Sequence, residues 1–231
     1  MKYLVVAFCF VFISPLLLAQ SANEKTLDSL YKEDQFYVGV TYNVINKKPK
    51  DVSQTGFSAG VHFGFIKDIP FNKNRNFGMG IGLGGSINSF NQNLLIEKNE
   101  QGTYNYRVLD DNLMPFDLNR FYMHLVEMPI EFRWRTSTAA SYKFWRIYSG
   151  IKLGYLLGSI ASYESETADL RHTQIDDFNP YQYGLSFSAG YNTWNFYFYY
   201  ALNPIFDNNA NIDGVQIDTN AIKIGLLFYI L

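Results

Sequence analysis

The side chains that could support catalysis in this 231-residue chain are few. Acyl transfer or hydrolysis needs a nucleophilic serine, a histidine base and an orienting carboxylate. The three histidines are His62, His124 and His172, and His124 is the best placed because it lies near one end of an apolar row. Its neighbours on that face are Tyr122 and Val126, not a serine. The sequence therefore predicts no catalytic residues.

A second set of chemically capable side chains consists of charges that alternate with apolar residues. Its members are Glu127, Glu131, Arg133, Arg135, Arg146, Lys152 and Lys223. If the strands that carry them close into a narrow barrel, these charges face the interior, where an unpaired charge is costly. The alternatives are a charged conduit and a packed polar core. We expect a structural core, since eight strands enclose a space that side chains fill.

Two further motifs predict no ligand. The glycines of GMGIGLGG, residues 78–85, alternate with bulky residues and open no helix, so they do not form a phosphate-binding loop. The acidic residues between 164 and 177 lack the ligand spacing and the glycine of a calcium loop. They are Glu164, Glu166, Asp169, Asp176 and Asp177. We expect a solvated loop, no metal and no cofactor.

The amino-terminal residues have the features of a secretory signal peptide. Residues 4–18 are almost wholly apolar and are followed by a small residue suited to cleavage. A membrane-spanning helix is the alternative, but Ser14 and Pro15 interrupt a stretch that is already short for a bilayer. The single cysteine, Cys9, lies within this stretch. The sequence thus predicts a signal peptide over residues 1–19 and an exported chain without disulfides.

Residues 119–136, NRFYMHLVEMPIEFRWRT, predict a long strand with two contrasting faces. Apolar and aromatic residues form one face, and the charges from Glu127 to Arg135 form the other. This pattern is typical of a strand that crosses an outer membrane. Pro129 removes a ladder donor and marks a strand break in this segment. We favour local accommodation of the proline over a lateral gate.

Seven other segments repeat the alternation. They are residues 35–44, 55–66, 77–88, 144–158, 181–191, 194–202 and 220–231. Small residues share one face, as the crowded interior of a narrow barrel requires. The sequence therefore predicts an all-β, eight-stranded antiparallel transmembrane barrel of outer-membrane type over residues 35–231, preceded by a short periplasmic segment over 20–34. A secreted lipocalin-like binding barrel is the alternative.

The connections between these segments differ in length at the two ends of the barrel. The long ones are residues 45–54, 89–118, 159–180 and 203–219, and the shorter ones are 67–76, 137–143 and 192–193. Outer-membrane barrels have long loops outside and short turns in the periplasm. We therefore expect both termini to be periplasmic. The alternation of Tyr104, Tyr106 and Val108 predicts a hairpin that extends beyond the membrane.

The charge and hydrophobic content of the chain indicate which classes of partner it could contact. The formal net charge of -2 argues against a nucleic-acid partner. Hydrophobic residues make up 48% of the chain and aromatic residues 18%, which suits contact with outer-membrane lipid and lipopolysaccharide. The exterior loops are the candidates for contact with a protein partner or a surface glycan.

The sequence also resembles a known family. The motif VEMPIEFRWRT, beginning at Val126, looks like the glutamate, apolar, proline, apolar signature of the PorT-like outer-membrane barrels. FWRIYSGIKLGYLLGS, YQYGLSFSAGYNTWNFYFYYALNPIF and the terminal IGLLFYIL are similar to that family in order and spacing. The resemblance implies an outer-membrane barrel with an accessory role in type IX protein secretion. A lipid-A-acting barrel enzyme is the functional alternative.

Overall fold

The computed structural model describes residues 34–110, 113–136 and 144–230. The predicted signal peptide, nearly all of segment 20–34 and the turn at 137–143 lie outside these residues. Within them the chain forms thirteen strands: β1 Gln35–Asn46, β2 Ala59–Pro70, β3 Phe77–Asn91, β4 Leu94–Lys98, β5 Tyr104–Val108, β6 Leu118–Arg135, β7 Trp145–Glu164, β8 Asp169–Thr173, β9 Tyr181–Tyr191, β10 Trp194–Ala201, β11 Asn211–Ile212, β12 Val215–Gln216 and β13 Asn220–Ile230. The described residues include no helix long and apolar enough to cross a membrane.

Eight of these strands close into an antiparallel barrel. The order around the wall is β6, β3, β2, β1, β13, β10, β9 and β7, and β7 pairs with β6 to complete the ring. The first and last wall strands are paired from Phe36 opposite Ile230 to Asn46 opposite Asn220. The predicted eight-stranded antiparallel barrel is therefore confirmed.

The two faces of the wall carry the residue types that the alternation predicts. On β6, the apolar side chains of Met128 and Phe132 are exposed, whereas Glu127 and Glu131 are buried. Large exposed apolar groups continue around the ring, with Leu83 65% and Leu157 62% exposed. A soluble monomer does not expose a continuous apolar belt of this kind. The outward face is built to contact lipid.

The two ends of the barrel are unequal. One end, here called the short-turn end, holds the connections 71–76 and 192–193 together with the start of β1 and the end of β13. The opposite, long-loop end carries β4 paired with β5, β8 paired with an extension of β7, and β11 paired with β12. The hairpin predicted around Tyr104 is the β4–β5 pair.

The prediction of a strand over residues 55–66 was wrong in its limits, since β2 spans Ala59–Pro70. Before Ala59, side chains take the place of the regular ladder: Gln54 Nε2 donates to the Asn43 carbonyl, and Ser58 Oγ accepts from the Asn91 amide. At the other end the strand runs on through the polar residues after Ile66. The turn predicted at 67–76 shrinks to 71–76, and Asp68 enters the inward face.

The seventh strand is longer than predicted because a bulge changes its phase. The pairing of β6 with β7 shifts by one residue between His124, opposite Gly158, and Leu125, opposite Leu156. An extra residue in one strand moves the following side chains to the other face. The alternation used for the prediction ends at this bulge, although β7 continues to Glu164.

Pro129 does not break β6, which is continuous through it. Pro129 is paired with Lys152 on β7, while the ladder to β3 has no pairs between Ile81 opposite Ile130 and Gly84 opposite Glu127. The register is the same on both sides of this gap, so no bulge forms there. The proline ring packs next to Gly82. The missing donor is thus accommodated locally.

Replacing Gly150 by alanine should destabilise the barrel. A Cβ at Gly150 would overlap the carbonyl oxygen of Ile130 on the paired strand, so β6 and β7 would have to separate at a cost of about 1–3 kcal/mol. The urea midpoint of the refolded chain in micelles, read by tryptophan fluorescence, measures this loss. Gly158→Ala on the same strand is the control, since a Cβ there meets nothing within 4 Å. Equal midpoints for the two variants would contradict the expected crowding.

Candidate functional site

The barrel interior contains a cluster of polar side chains around one carboxylate. Glu127 of β6 accepts from Ser86 at 2.8 Å and from Lys152 at 3.2 Å, and it lies 3.5 Å from His62 Nδ1 and 3.9 Å from Lys223 Nζ. Alternation on four other strands directs these partners inward. All five residues are buried. Glu127 therefore contacts charged and polar groups from four other strands at one level of the barrel.

A second cluster lies nearer the short-turn end. Arg135 donates to both carboxylate oxygens of Asp68, at 2.8 and 2.6 Å, which is the two-pronged geometry that favours arginine. Arg133 lies 3.4 Å from Asp68 and 3.4 Å from Glu131, and it donates to Gln35 at 3.3 Å. Arg135 Nε also donates to the carbonyl of Arg75 in the 71–76 turn. This cluster ties the turn to the wall.

The inward faces of the described strands carry more buried cations than carboxylates. Arg133, Arg135, Arg146, Lys152 and Lys223 face only Asp68, Glu127 and Glu131. Aromatic rings lie beside the excess positive charge, because a ring face attracts a cation. Lys152 Nζ is 4.8 Å from the centre of the Tyr197 ring, Lys223 Nζ is 5.1 Å from that of Tyr199, and Arg146 Cζ is 4.4 Å from that of Phe144.

The seven charges singled out in the sequence are all buried in the interior, but they do not form one group. Glu127 contacts Lys152 and Lys223, and Glu131 contacts Arg133, whereas Arg135 pairs with Asp68. Arg146 has no ion pair in the described part of the chain. Sequence reasoning missed Asp68 and the contact of His62 with Glu127. Extending the alternation of β2 by two residues would have placed Asp68 inward, in line with His62.

One constellation has the connectivity of a catalytic triad. Thr41 Oγ1 lies 3.1 Å from His62 Nε2, and His62 Nδ1 lies 3.5 Å from Glu127. The exposed fractions of these residues are 5%, 0% and 2%, so the hydroxyl is enclosed by the barrel wall. Glu127 also pairs with Lys152 and Lys223, so its main contacts are ion pairs and not the orientation of the His62 imidazole.

Between Glu127 and the long-loop end, the interior is filled by apolar side chains. A cavity of about 20 Å³ remains there, bordered by Phe90, Met123, Leu125 and Tyr199 as well as by Glu127 and its lysines. That volume accommodates about one water molecule. Thus the interior is charged towards the short-turn end and apolar towards the long-loop end.

The long connections pack over the barrel mouth and form a cap with its own apolar core. Phe178 stacks on Phe206 at 4.8 Å between ring centres, and Phe121 of β6 lies 5.2 Å from Phe178. The β4–β5 hairpin contributes Leu94, Ile96 and Tyr106 to this core. The hairpin therefore folds against the mouth and does not project freely from it, because these apolar side chains are buried.

Tyr106 also forms a polar contact in the cap, since its hydroxyl donates to Asp177 at 3.0 Å. Burial raises the pKa of the Tyr106 hydroxyl, and the nearby carboxylate raises it further. Burial is likewise the main cause of the raised pKa of Asp177, to which Asp207 and Asp176 add, while the hydrogen bond from Tyr106 lowers it. Both groups are held uncharged more readily than in water.

A large concave surface lies on the cap. A cleft of about 780 Å³ runs between the 47–51 loop, β5 and the β11–β12 pair. Lys48, Lys50 and Arg107 line it without an ion pair in the described part of the chain, whereas Lys47 pairs with Asp218 at 3.4 Å. Val215 lies in the same cleft and is 68% exposed. The cleft thus combines free cations with apolar surface.

Residues 18–207 match the family described as "Outer membrane protein beta-barrel domain". No curated protein matches the sequence. Among solved structures, Ail, the attachment invasion locus protein of Yersinia pestis, is similar at 12% identity with a TM-score of 0.33, over 87% of this chain and 100% of that chain.

Glu127→Gln should destabilise the barrel, because it leaves the buried Lys152 and Lys223 without their carboxylate. Removing one partner of a buried ion pair costs about 3–5 kcal/mol. The urea midpoint in micelles measures the effect. Glu166→Gln, at an exposed loop carboxylate, is the control and should change stability by less than about 0.5 kcal/mol. A Glu127→Gln midpoint as high as that of the control would exclude a structural role for the cluster.

The contact between Tyr106 and Asp177 should make the cap sensitive to pH. Because the pKa of Asp177 is raised on folding, the folded cap binds its proton more tightly than the unfolded loop does. Its contribution is therefore present at low pH and is lost as pH rises from the ordinary value of 3.8 through the raised pKa. Hydrogen exchange of the β4–β5 amides, corrected for intrinsic rates, should show this loss of protection.

Two variants separate the causes of this pH effect. Asp177→Asn keeps an acceptor for Tyr106 and removes the charge, so the exchange of the hairpin should lose its dependence on pH. Tyr106→Phe removes the hydrogen bond that lowers the pKa of Asp177, so the transition should move to higher pH. An unchanged profile in Asp177→Asn would show that another group controls it.

Proposed function

Because the chain belongs to the outer membrane protein β-barrel domain family, we propose that it is a non-conducting, non-enzymatic barrel that acts through the cap at its exterior end. The protein is an outer-membrane barrel, and side chains of the described residues fill its interior around a cavity of about 20 Å³. The observation that carries the proposal is the contrast between a cavity of about 20 Å³ in the interior and a cleft of about 780 Å³ on the cap. Recognition sites favour such loops on a rigid scaffold.

The orientation is part of this proposal. The short-turn end, where β1 begins and β13 ends, faces the periplasm, and the cap faces the outside. Unequal connections support this assignment, since bacterial barrels keep their short turns in the periplasm. Both termini are then periplasmic, as the sequence predicts.

The cleft is suited to a protein partner or a surface glycan. Its volume lies within the range of ligand sites, roughly 300–1,000 Å³. Lys48, Lys50 and Arg107 supply hydrogen-bond donors and positive charge, while Val215 supplies apolar contact. Asp51 and Asp213 also line the cleft, so its charge is mixed and favours a partner that carries both charge types over a polyanion. Nucleic acid is not among the proposed partners.

The burial of Thr41, His62 and Glu127 inside the barrel supports the proposal that the protein is not an enzyme. A lipid-A-acting enzyme needs its nucleophile on the outward face or at the rim. His124, the outward histidine, has Tyr122 and Val126 beside it on its own strand and Ile87 and Gly158 opposite it. None of these supplies a serine hydroxyl next to the imidazole.

Planar-bilayer recording of the purified chain tests the closed interior. We expect no steady single-channel current, because the charge clusters and the apolar residues fill the lumen. A variant in which residues 94–108 are replaced by a short glycine-serine linker should be equally silent, since it lacks the hairpin but keeps the Glu127 cluster. Heat-modifiable gel migration verifies that both proteins are folded. Steady currents from the intact chain would overturn the proposal.

Site-specific photocrosslinking in cells tests the cleft. A photoreactive residue at Val215, inside the cleft, should capture a partner, whereas one at the exposed Glu166, outside the cleft, should not. The capture should be lost when Lys48 and Lys50 are both changed to glutamate. Equal capture from the two positions would exclude the cleft as the binding surface.

The finer proposal, an accessory role in type IX secretion, is supported by the resemblance of VEMPIEFRWRT to the PorT-like signature. Deleting the gene and comparing the secreted proteins tests it: loss of exported proteins, restored by the wild-type gene, would support the role. Unchanged secretion together with altered acylation of lipid A would instead favour the enzyme.

A further inference from the structure

A row of polar side chains crosses four neighbouring strands on the outward face, where lipid contact would call for apolar groups. Asn91 of β3 is paired with Arg120 of β6, Arg120 with Ser162 of β7, and Ser162 with Arg171 of β8. Directly opposed residues in a sheet point to the same face. The row therefore presents one arginine on each side of Ser162.

The bulge in β7 creates this row. Before the bulge, the odd-numbered residues of β7 point outward, as in Leu153 and Tyr155, whereas after it Ile160 and Ser162 do so. Without the extra residue, Ser162 would point into the cap and Arg171 would lose its outward neighbour. Arg120 and Arg171 stand about 10 Å apart, two strand spacings, and their long side chains can reach a group bound between them.

The height of the row matches the boundary of the membrane. Trp134 and Tyr122 are the outward aromatics towards the two ends of β6. The twelve steps from Tyr122 to Trp134 span roughly 40 Å along the strand, which a tilt of about 40° projects to roughly 30 Å along the membrane normal, close to the thickness of the hydrocarbon core. Arg120 lies two residues beyond Tyr122, on the side of the cap, and its guanidinium is 5.2 Å from the centre of the Tyr122 ring. This position is the head-group layer.

The arginines are available to a ligand. Arg120 is half-buried, Arg171 is exposed, and neither has an ion pair among the described residues. Beside Arg120 lies an outward groove of about 380 Å³ lined by Phe57, Phe116 and Asp117 among others. Lys67 is the one other outward cation of the described wall strands, and it lies towards the short-turn end.

We propose that Arg120 and Arg171 bind a phosphate of the glycolipid in the outer leaflet. Arginine matches phosphate oxygens with paired N–H donors, Ser162 adds a hydroxyl, and the apolar belt beneath receives the acyl chains. Glu164 and Asp169 occupy the next row towards the cap, and Asp117 lines the groove. These carboxylates would repel a phosphate placed higher, so they confine it to the level of the arginines.

This site depends on the proposed orientation, since the glycolipid occupies the outer leaflet, but it is independent of the closed lumen and of the cap cleft. Binding of fluorescent lipopolysaccharide to the full mature chain in phosphatidylcholine nanodiscs tests it. Arg120→Gln together with Arg171→Gln should weaken binding about tenfold or more, as expected for the loss of charge-assisted hydrogen bonds. Lipopolysaccharide stripped of its phosphates should bind both proteins equally weakly.

Lys67→Gln is the matched control, because it removes an outward cation at the other end of the wall and should leave the affinity unchanged. Arg171→Gln alone, at an exposed side chain, should fold normally and weaken binding to a measurable degree. Two results would overturn the proposal: wild-type affinity in the double variant, or binding of the dephosphorylated glycolipid to the wild-type chain as tight as that of intact lipopolysaccharide. Neither result would bear on the current recordings or on crosslinking through Val215.

Discussion

The contacts of Glu127 fix the arrangement of the barrel, because its partners come from four other strands. A lone buried carboxylate is expensive in a medium of low polarity, so β6 must lie where His62, Ser86, Lys152 and Lys223 can all reach it. A slip of one residue in any ladder would turn the charges of that strand towards lipid. Specificity of register, more than net stabilisation, is what such a cluster provides.

The two halves of the interior are filled by different kinds of side chain. Towards the short-turn end, Asp68, Arg133 and Arg135 satisfy one another through ion pairs. Towards the cap, Phe90 and Phe121 stack at 5.0 Å between ring centres. The apolar half is continuous with the core of the cap, so the loops are anchored on the wall. A binding surface built on these loops is accordingly held by the barrel itself.

The wall could be predicted from sequence because one rule, the alternation of faces, governs every strand. The prediction fails where a strand continues through polar residues or where a bulge interrupts the alternation. It missed β2 beyond Ile66 because Lys67 and Asp68 look like loop residues, although Asp68 is the carboxylate that Arg135 requires. It also ended β7 at Gly158, where the bulge reverses the faces. The apolar run Leu94, Leu95, Ile96 was the available sign of a buried core in the cap.

Partners across the lumen were harder to foresee than faces. Alternation says that Thr41, His62 and Glu127 point inward, but only the shear of the closed barrel decides which inward residues meet. The side chains at one height come from distant parts of the chain. For that reason the sequence identified the charged residues but not their pairing.

The seam between β1 and β13 has a consequence for how the chain reaches its final state. Phe36 and Ile230 are neighbours in space yet lie near opposite ends of the sequence, so the ring can close only after the last strand has been delivered. Contacts of such long sequence separation form slowly, since the entropy of joining the ends precedes any gain from pairing. Until then both edge strands offer unpaired backbone groups, and the apolar belt is exposed to water. A chaperone that covers the apolar belt and the unpaired edge strands before the barrel closes would therefore protect the chain at the stage when its own fold leaves them exposed.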